Sequence, residues 1–581
     1  MKKTTCPLDC FDGCSIVVGE DKTLKGDKDH PVTQGYLCHH LNHYHTFPRI
    51  AKPSYLGREI SLDEAMDVLE QQLSQNPQNK TLFFKGSGNL GIMQSVTKLF
   101  FAKHEAVLAS GSLCDEAGDA GIVEGRGANL SFSPLHVKQS EVVILWGRNP
   151  SVTNSHMLPS LKGKTLIVID PVSIDLAQKA DLHIPIKPRS DIYLAMLLSR
   201  VAYMEQMEDT EFIEQRCSNF KSFIDFVCGI PMRDLMHKCG CSLENVGTLL
   251  SLIKGKKVSI LVGIGVQKYS FGHSVLRSID SFAALLGLFG KEGCGVGYLS
   301  NSGFGFDAPF KVKAKTEVLP IVDFGKYGLV FIQGGNPMEQ MPCTPRVEHG
   351  LKNAGFVVYF GLHENETSKI ADLIIPAKTF LEKDDLKLSY GHEFIGQMPK
   401  AYESDIGISE YELCSKLMSH FNYEPLQSAE AILQGVINSH SVLKNGHLIS
   451  KTYETLPYEK TFYTSSGKFE FFDEFDDEFD NDSEGFYLLA TKQNKSLNSQ
   501  FIKDDYLYVP LHVGLNKGDK VILSNQYGQC EYIVMPSDRL RSDCVMLYSG
   551  AKNANRLTPP KASQEGHCAI YQEIKVQMEK V

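Results

Sequence analysis

The sequence predicts a multidomain α/β protein that closes with a β domain, and three observations predict it. Short apolar runs of strand length alternate with amphipathic stretches from about residue 60 to 420, the grammar of layered α/β sheets. From residue 487 onward, short alternating segments such as GDKVILSNQYGQCEYIVM replace them and read as an antiparallel β domain. Ahead of both, four cysteines crowd into the first 38 residues. A chain of 581 residues has room for about three to five domains with large cores.

The quartet is Cys6, Cys10, Cys14 and Cys38, spaced C-x3-C-x3-C-x23-C. Four soft thiolates suit a [4Fe-4S] cluster or tetrahedral zinc. Zinc sites usually pair two short knuckles, so three close cysteines with one distant partner favour the cluster, with zinc and disulfides as the alternatives. The opening MKKTTC carries no apolar h-region, twin arginine or cleavage site, which predicts a cytoplasmic protein and argues against disulfides. No stretch approaches the ~20 apolar residues that cross a bilayer. A formal charge of -10 argues against nucleic acid as the main partner and leaves small molecules and other proteins.

Along the chain, DEAMDVLEQQL (63–73) has helical apolar spacing behind Ser61 as N-cap. TLFFKGSGNLG (81–91) is a strand running into glycines that let backbone approach a ligand. EVVILWGRNP (141–150) and TLIVIDP (165–171) are buried strands, echoed by KVSILVGIGVQ (257–267), GLVFIQGGNP (328–337), GFVVYFG (355–361) and ADLIIPA (371–377). In parallel sheets ligands sit at such carboxyl ends. One strand of each set ends in G-x-N-P, WGRNP at 146–150 and QGGNP at 333–337. A single Asn-Pro after a strand is an ordinary turn; two copies suggest two similar nucleotide-binding layers and a doubled cofactor. The acidic, Phe-rich run KFEFFDEFDDEFDNDSEG (468–485) reads as a solvated linker or exposed edge, and Asn525 to Gly528 as a hairpin turn.

These residues together resemble the molybdopterin oxidoreductases of the dimethyl sulfoxide reductase superfamily, over nearly the whole chain. The resemblance is carried by the cysteine quartet, GSGNLGIMQ (86–94), GSLCDEAGDAG (111–121), WGRNP with IDP, GIGVQKYSFG (263–272), QGGNP, ETSKIADLIIPAKTFLEKDD (366–385), SSGKFEF (465–471) and NANRLTP (553–559), in that order. It implies four domains: an iron-sulfur domain over 1–52, a discontinuous first molybdopterin domain over 53–135 and 328–464, a second dinucleotide-binding α/β domain over 136–327, and a C-terminal β domain over 465–581. They would enclose molybdenum or tungsten on two molybdopterin guanine dinucleotides, with the [4Fe-4S] cluster of Cys6, Cys10, Cys14 and Cys38 nearby. Cys114 occupies the position of the family's protein ligand to that metal. Asp170 resembles the acid that binds guanosine, and Asn149, Asn154, Asp191, Gly335, Asn336, Asp372 and the late Asn555 fall at similar cofactor-contact positions.

Two departures from the family pattern bear on mechanism. Cluster-bearing members commonly place a lysine two residues after the fourth cysteine; here it is His40, the candidate electron relay. Beside Cys114, where formate dehydrogenases typically show histidine, stands Asp115, a candidate proton shuttle or a plain helix cap. His156 and Glu116 are further candidates for lining the pocket. GSGNLG satisfies the letters of a dinucleotide fingerprint, but the resemblance places it beside the pterin, so electrons are expected to pass to a separate ferredoxin, flavoprotein or iron-sulfur subunit. The expected function is two-electron redox or oxygen-atom transfer on a small substrate. The alternatives are a non-redox hydratase or lyase using the same centre, and a pterin-free electron-transfer subunit like the large iron-sulfur subunit of respiratory complex I.

Overall fold

A computed structural model describes residues 2–299, 302–475 and 484–581. The chain divides into two compact units. The first comprises Met1–Ser110, Asn301–Tyr453 and Asn494–Lys503; the second comprises Gly111–Ser300, Glu454–Gln493 and Asp504–Val581. Among the described residues no helix is long and apolar enough to cross a membrane.

The first unit is built on an eight-stranded sheet in the order Thr316–Val318, Val107–Ser110, Thr81–Lys85, Leu329–Gln333, Val357–Gly361, Leu373–Pro376, Ser54–Tyr55, Arg58–Glu59. The first six strands run parallel, and the short hairpin at 54–59 joins antiparallel. Phe83, Phe331, Val358, Phe360 and Ile375 share one buried core with helices on their side of the sheet. The helix Leu62–Gln75 turns Ala65, Met66, Leu69 and Leu73 into that core. Ser61 and Glu64 start it with a reciprocal capping box, whose loss costs about 1 kcal/mol. The amino-terminal segment adds a small antiparallel sheet, Lys2–Thr5, Ser15–Val18 and Leu24–Gly26, whose loops carry the cysteines.

The second unit holds a five-stranded parallel sheet in the order Leu182–Ile184, Thr165–Ile169, Val142–Trp146, Val258–Val262, Gly295–Gly297. One face packs Val143, Leu145, Leu166, Val168 and Leu261 against Tyr487, Leu489, Cys544 and Met546 of a closed barrel. The barrel order is Phe486–Thr491, Cys544–Tyr548, Tyr506–Pro510, Gly528–Ser537, Lys520–Asn525, Lys575–Lys580. The expected hairpin is there, with Asn525 opposite Gly528 and the Asn525 Oδ1 accepting from the Tyr527 N–H at 2.9 Å. The expected purely antiparallel domain is not: Tyr487 pairs in parallel with Cys544, and Tyr506 with Ile533. Alternation along a strand fixes which face is buried and says nothing about the direction of its neighbour.

The acidic run also departs from expectation where it is described. Phe469–Glu470 pairs with Cys217–Ser218, and Phe469, Phe471 and Phe472 are buried, Phe471 stacking on Phe223 at 4.9 Å. Apolar and acidic residues alternate there, so the phenylalanines enter the core while the charge stays outside. Residues 476–483 of the run lie outside the described residues.

Candidate functional site

Both parallel sheets start from a central strand and build outward in both directions, which leaves a switch point at the carboxyl ends of two neighbouring strands. In the first unit these are Thr81–Lys85 and Leu329–Gln333; in the second, Val142–Trp146 and Val258–Val262. The two G-x-N-P segments fall at these places and have one geometry. Gly147 and Gly334 both adopt left-handed backbone, φ 58° and 57°. Asn149 and Asn336 then precede the short helices Pro150–Thr153 and Pro337–Gln340, each with proline in its first turn.

Each turn is closed by a glycine from the other central strand. A Cβ on Gly86 would stand 2.4 Å from the Gly334 carbonyl oxygen, and one on Gly263 would stand 1.8 Å from that of Gly147. Side chains are therefore excluded at both crevices, and backbone is offered to a ligand instead. Gly335 is buried against Gly86 and Phe84 in the first unit's crevice.

The predicted contact residues fall into three groups. Asn149 is half-buried at its switch point, and its Oδ1 is a buried acceptor with no partner. Asp170 ends the next strand; one oxygen accepts from the Val172 N–H at 2.8 Å, and burial pushes its carboxyl up to about 7. Asp191 starts a helix, accepts from Trp146 Nε1 at 2.8 Å, and is pushed by burial up to about 6. These three offer polar groups at the second unit's crevice.

Asn154 and Asn336 are taken up by the protein itself. Asn154 is fully buried and its Oδ1 accepts from the Arg148 guanidinium at 3.4 Å. Asn336 donates to Glu339 and Ser499 and accepts from the Thr367 hydroxyl at 2.8 Å, so its side chain fixes the turn. The Asp372 carboxylate accepts from the Val357 N–H at 2.8 Å, at the amino end of that strand and opposite the carboxyl ends that form the crevice. Asn555 sits in the short helix Ala554–Leu557 beside the barrel.

Cys114 is half-buried in a loop that leads into the helix Glu116–Arg126. Three interactions set the loop's conformation. The Ser112 hydroxyl accepts from the Cys114 N–H at 2.7 Å. The buried Gln267 side chain donates to the Cys114 carbonyl at 2.7 Å and accepts from the Gly118 N–H at 3.0 Å. Lys268 donates to the Leu113 carbonyl, and its ammonium lies 3.4 Å from the Cys568 sulfur. Asp115 occupies the helix N-cap position without a capping side-chain bond, and its carbonyl accepts from the Tyr298 hydroxyl at 3.3 Å. Glu116 is exposed and His156 buried.

The helix behind Cys114 is held unusually close to its neighbour Gly272–Leu285. A Cβ on Gly121 would stand 2.0 Å from the His273 carbonyl oxygen. At the helix end the fully buried Arg126 donates from Nε to Asp280 at 2.7 Å, pairs a second time through Nη2, and lies 4.9 Å over the Phe289 ring. Gln267, Lys268, Arg126 and Asp280 were not singled out in the sequence. Gln267 and Lys268 had a readable signal, as polar residues in the glycine-containing turn that follows a buried strand. Gln267→Leu leaves one carbonyl and one N–H without partners, an expected loss of about 1–3 kcal/mol for each orphaned group, read as a lower urea midpoint by the fluorescence of Trp146, the chain's single tryptophan.

In the first unit, Cys6 and Cys14 are buried in a core with Leu8, Ile16, Leu37, Leu41, Tyr44, Phe380 and Met398, and Cys38 packs at its edge. Cys6 and Cys14 are linked through the backbone, the Cys6 N–H donating to the Cys14 carbonyl at 2.9 Å. Burial pushes all four thiols above the ordinary range, and each of Cys6, Cys10 and Cys14 is pushed further by others of the quartet. Among the described residues, no three His, Cys, Asp or Glu side chains converge as ligands of a single ion. His40 has Nδ1 at 3.7 Å from the Cys38 sulfur and stacks on Phe501 at 4.6 Å; burial, with His39, pulls it down to about 4.

The chain belongs to the molybdopterin oxidoreductase family, whose model matches residues 57–405. It is 25% identical over 519 residues to the probable oxidoreductase YyaE of Bacillus subtilis strain 168, covering 81% of this chain and 78% of that one. It is 24% identical to the probable oxidoreductase YoaE of the same organism, covering 100% and 98%. Among solved structures, acetylene hydratase from Pelobacter acetylenicus matches with a TM-score of 0.76 at 15% identity over the full length of both chains, a likeness of fold.

Proposed function

We propose that this enzyme carries molybdenum or tungsten on two molybdopterin guanine dinucleotides and performs two-electron redox or oxygen-atom transfer on a small substrate. The observation that carries the proposal is the Cys114 loop, whose backbone is fixed by Gln267, Lys268 and Ser112 around a half-buried cysteine. A thiolate held this way suits a sulfur-rich, high-valent metal. The bound cofactor would supply the two-electron step, and the protein's part is to orient and to shield.

The crevices fit a large polar cofactor: two glycine-lined approaches, the free Asn149 oxygen, and the Asp170 and Asp191 carboxyls. Asp170 and Asn149 would hold the nucleotide, with Asn555 a further contact. Asp115, next to Cys114, would take or release the proton that accompanies the redox step.

Cys6, Cys10, Cys14 and Cys38 would hold a [4Fe-4S] cluster. Three close cysteines with one distant partner, three of them packed in or against one core and acting electrostatically on one another, support this reading over paired zinc knuckles. The cluster would pass electrons singly to a separate ferredoxin, flavoprotein or iron-sulfur subunit.

The test is metal and pterin analysis of anaerobically purified protein, followed by a substrate screen with and without an artificial electron acceptor. About four irons with one molybdenum or tungsten per chain, and turnover only with acceptor, are the expected result. Turnover without acceptor would make it a hydratase or lyase on the same scaffold. Iron without pterin would make it an electron-transfer subunit.

A further inference from the structure

Buried acidic and basic side chains both lie around the cysteine quartet. Asp12 is buried and its charge acts on all four thiols, and Asp9 stands beside them. The cation among the groups acting on Cys6 is Lys387, which in turn feels Asp9, Cys6 and Cys10.

Lys387 is only 1% exposed. It ends the short strand Asp385–Lys387, paired with Gly396–Met398, and its backbone also bridges to Gly91. Its ammonium lies 4.9 Å over the Tyr390 ring. Two residues earlier, Asp385 points the same way along the strand but is engaged elsewhere, accepting from the Met93 N–H at 2.8 Å. Both of its backbone neighbours adjoin the first cysteine: Leu90, next to Gly91, donates its N–H to the Pro7 carbonyl at 2.8 Å, and Gly396 lies directly against Thr5, so this buried cation is fixed between the two residues that flank Cys6. Burying an ammonium costs several kcal/mol unless negative charge repays it.

We propose that Lys387 is the fixed counter-charge of the amino-terminal cluster and raises its reduction potential. This rests on the cluster proposed above. Four thiolates on a four-iron cluster give a net negative group, and each accepted electron adds one more negative charge inside a low-dielectric wall. An ammonium held beside Cys6 and Cys10 stabilises the reduced form more than the oxidised one. It would act from a distant strand in a chain that carries His40, stacked on Phe501, two residues after Cys38.

The test uses the full chain with its irons in place. Wild type, Lys387→Met and Lys387→Arg are titrated with dithionite as reductant, and the reduced cluster is followed by EPR. In Lys387→Met the ratio of reduced to oxidised cluster at the wild-type midpoint falls about tenfold, a shift of ~59 mV to lower potential for one electron. Lys387→Arg, which keeps the charge, stays close to wild type. A merely structural lysine would not move the potential of a variant that keeps its cluster. An unchanged midpoint in iron-loaded Lys387→Met therefore overturns the role of Lys387 alone. Wild type without an iron-sulfur spectrum overturns the cluster and this inference with it. Should Lys387→Met assemble no cluster, wild type labelled with ε-15N-lysine decides: a weak nitrogen coupling to the reduced cluster in pulsed EPR supports the assignment, and no coupling overturns it.

Discussion

On the proposed function, Cys114→Ala is expected to abolish acceptor-linked turnover while leaving the iron content and the fold unchanged. The loop's conformation is set by the Cys114 N–H and carbonyl and by the Leu113 carbonyl, all backbone groups that the substitution keeps. The side chain enters none of these bonds, so its removal is expected to act on the metal and not on the loop. The loss should exceed the ~10–100-fold that removal of a supporting outer partner costs at a metal centre. Steady-state rates with a dye acceptor, together with molybdenum or tungsten EPR, measure it. Retention of activity within that range would remove Cys114 from the metal's coordination. Cys114→Ser, with a harder oxygen donor, should keep the metal but change its spectrum.

Asp280→Ala destabilises the second unit by about 3–5 kcal/mol, because it leaves the Arg126 guanidinium charged and buried with its principal partner gone. The remaining contacts, a bond to the Val296 carbonyl at 3.2 Å and the faces of Phe289 and Tyr458, do not neutralise it. Trp146 is fully buried in the same unit and reports its unfolding by fluorescence in urea. Arg126→Met combined with Asp280→Leu should recover most of the loss, since an apolar pair of similar volume replaces a buried ion pair at little cost. A single variant as stable as wild type would mean that water reaches the guanidinium. The same pair sits at the far end of the helix that follows Cys114, so Asp280→Ala should also loosen the Cys114 loop.

Much of this molecule was legible from its sequence, for definite physical reasons. Each predicted strand from 81 to 377 exists, because a strand buried on both faces has to be apolar throughout and short. The Ser61 cap and its capping box lie close together in sequence, and so do the Gly-x-Asn-Pro turns, whose backbone demands are written into the residues themselves. What stayed hidden depends on residues far apart. Asp372 follows a turn that resembles a site, yet its carboxylate closes the amino end of a neighbouring strand. Asn336 and Asn149 occupy equivalent turns, but Ser499 and Thr367 occupy the amide of one while the oxygen of the other stays free. The phenylalanines at 469–472 looked solvated because their acidic neighbours dominate composition, and only the partner strand Cys217–Ser218 shows which way they turn. Lys387 had no local signal at all.

The interleaving of the two units also sets an order of events as the chain is made. The amino-terminal thiols emerge first, but Phe380, Leu381 and Met398, which wall them in, belong to a segment encoded after the whole 111–300 stretch. At roughly 5–20 residues per second the quartet waits some tens of seconds for its cover. During that interval its thiols are reachable by oxidants and, on the proposed function, by whatever would deliver iron and sulfide. Closing of the first unit then covers them, so the window for loading such a site would be written into the order of the gene.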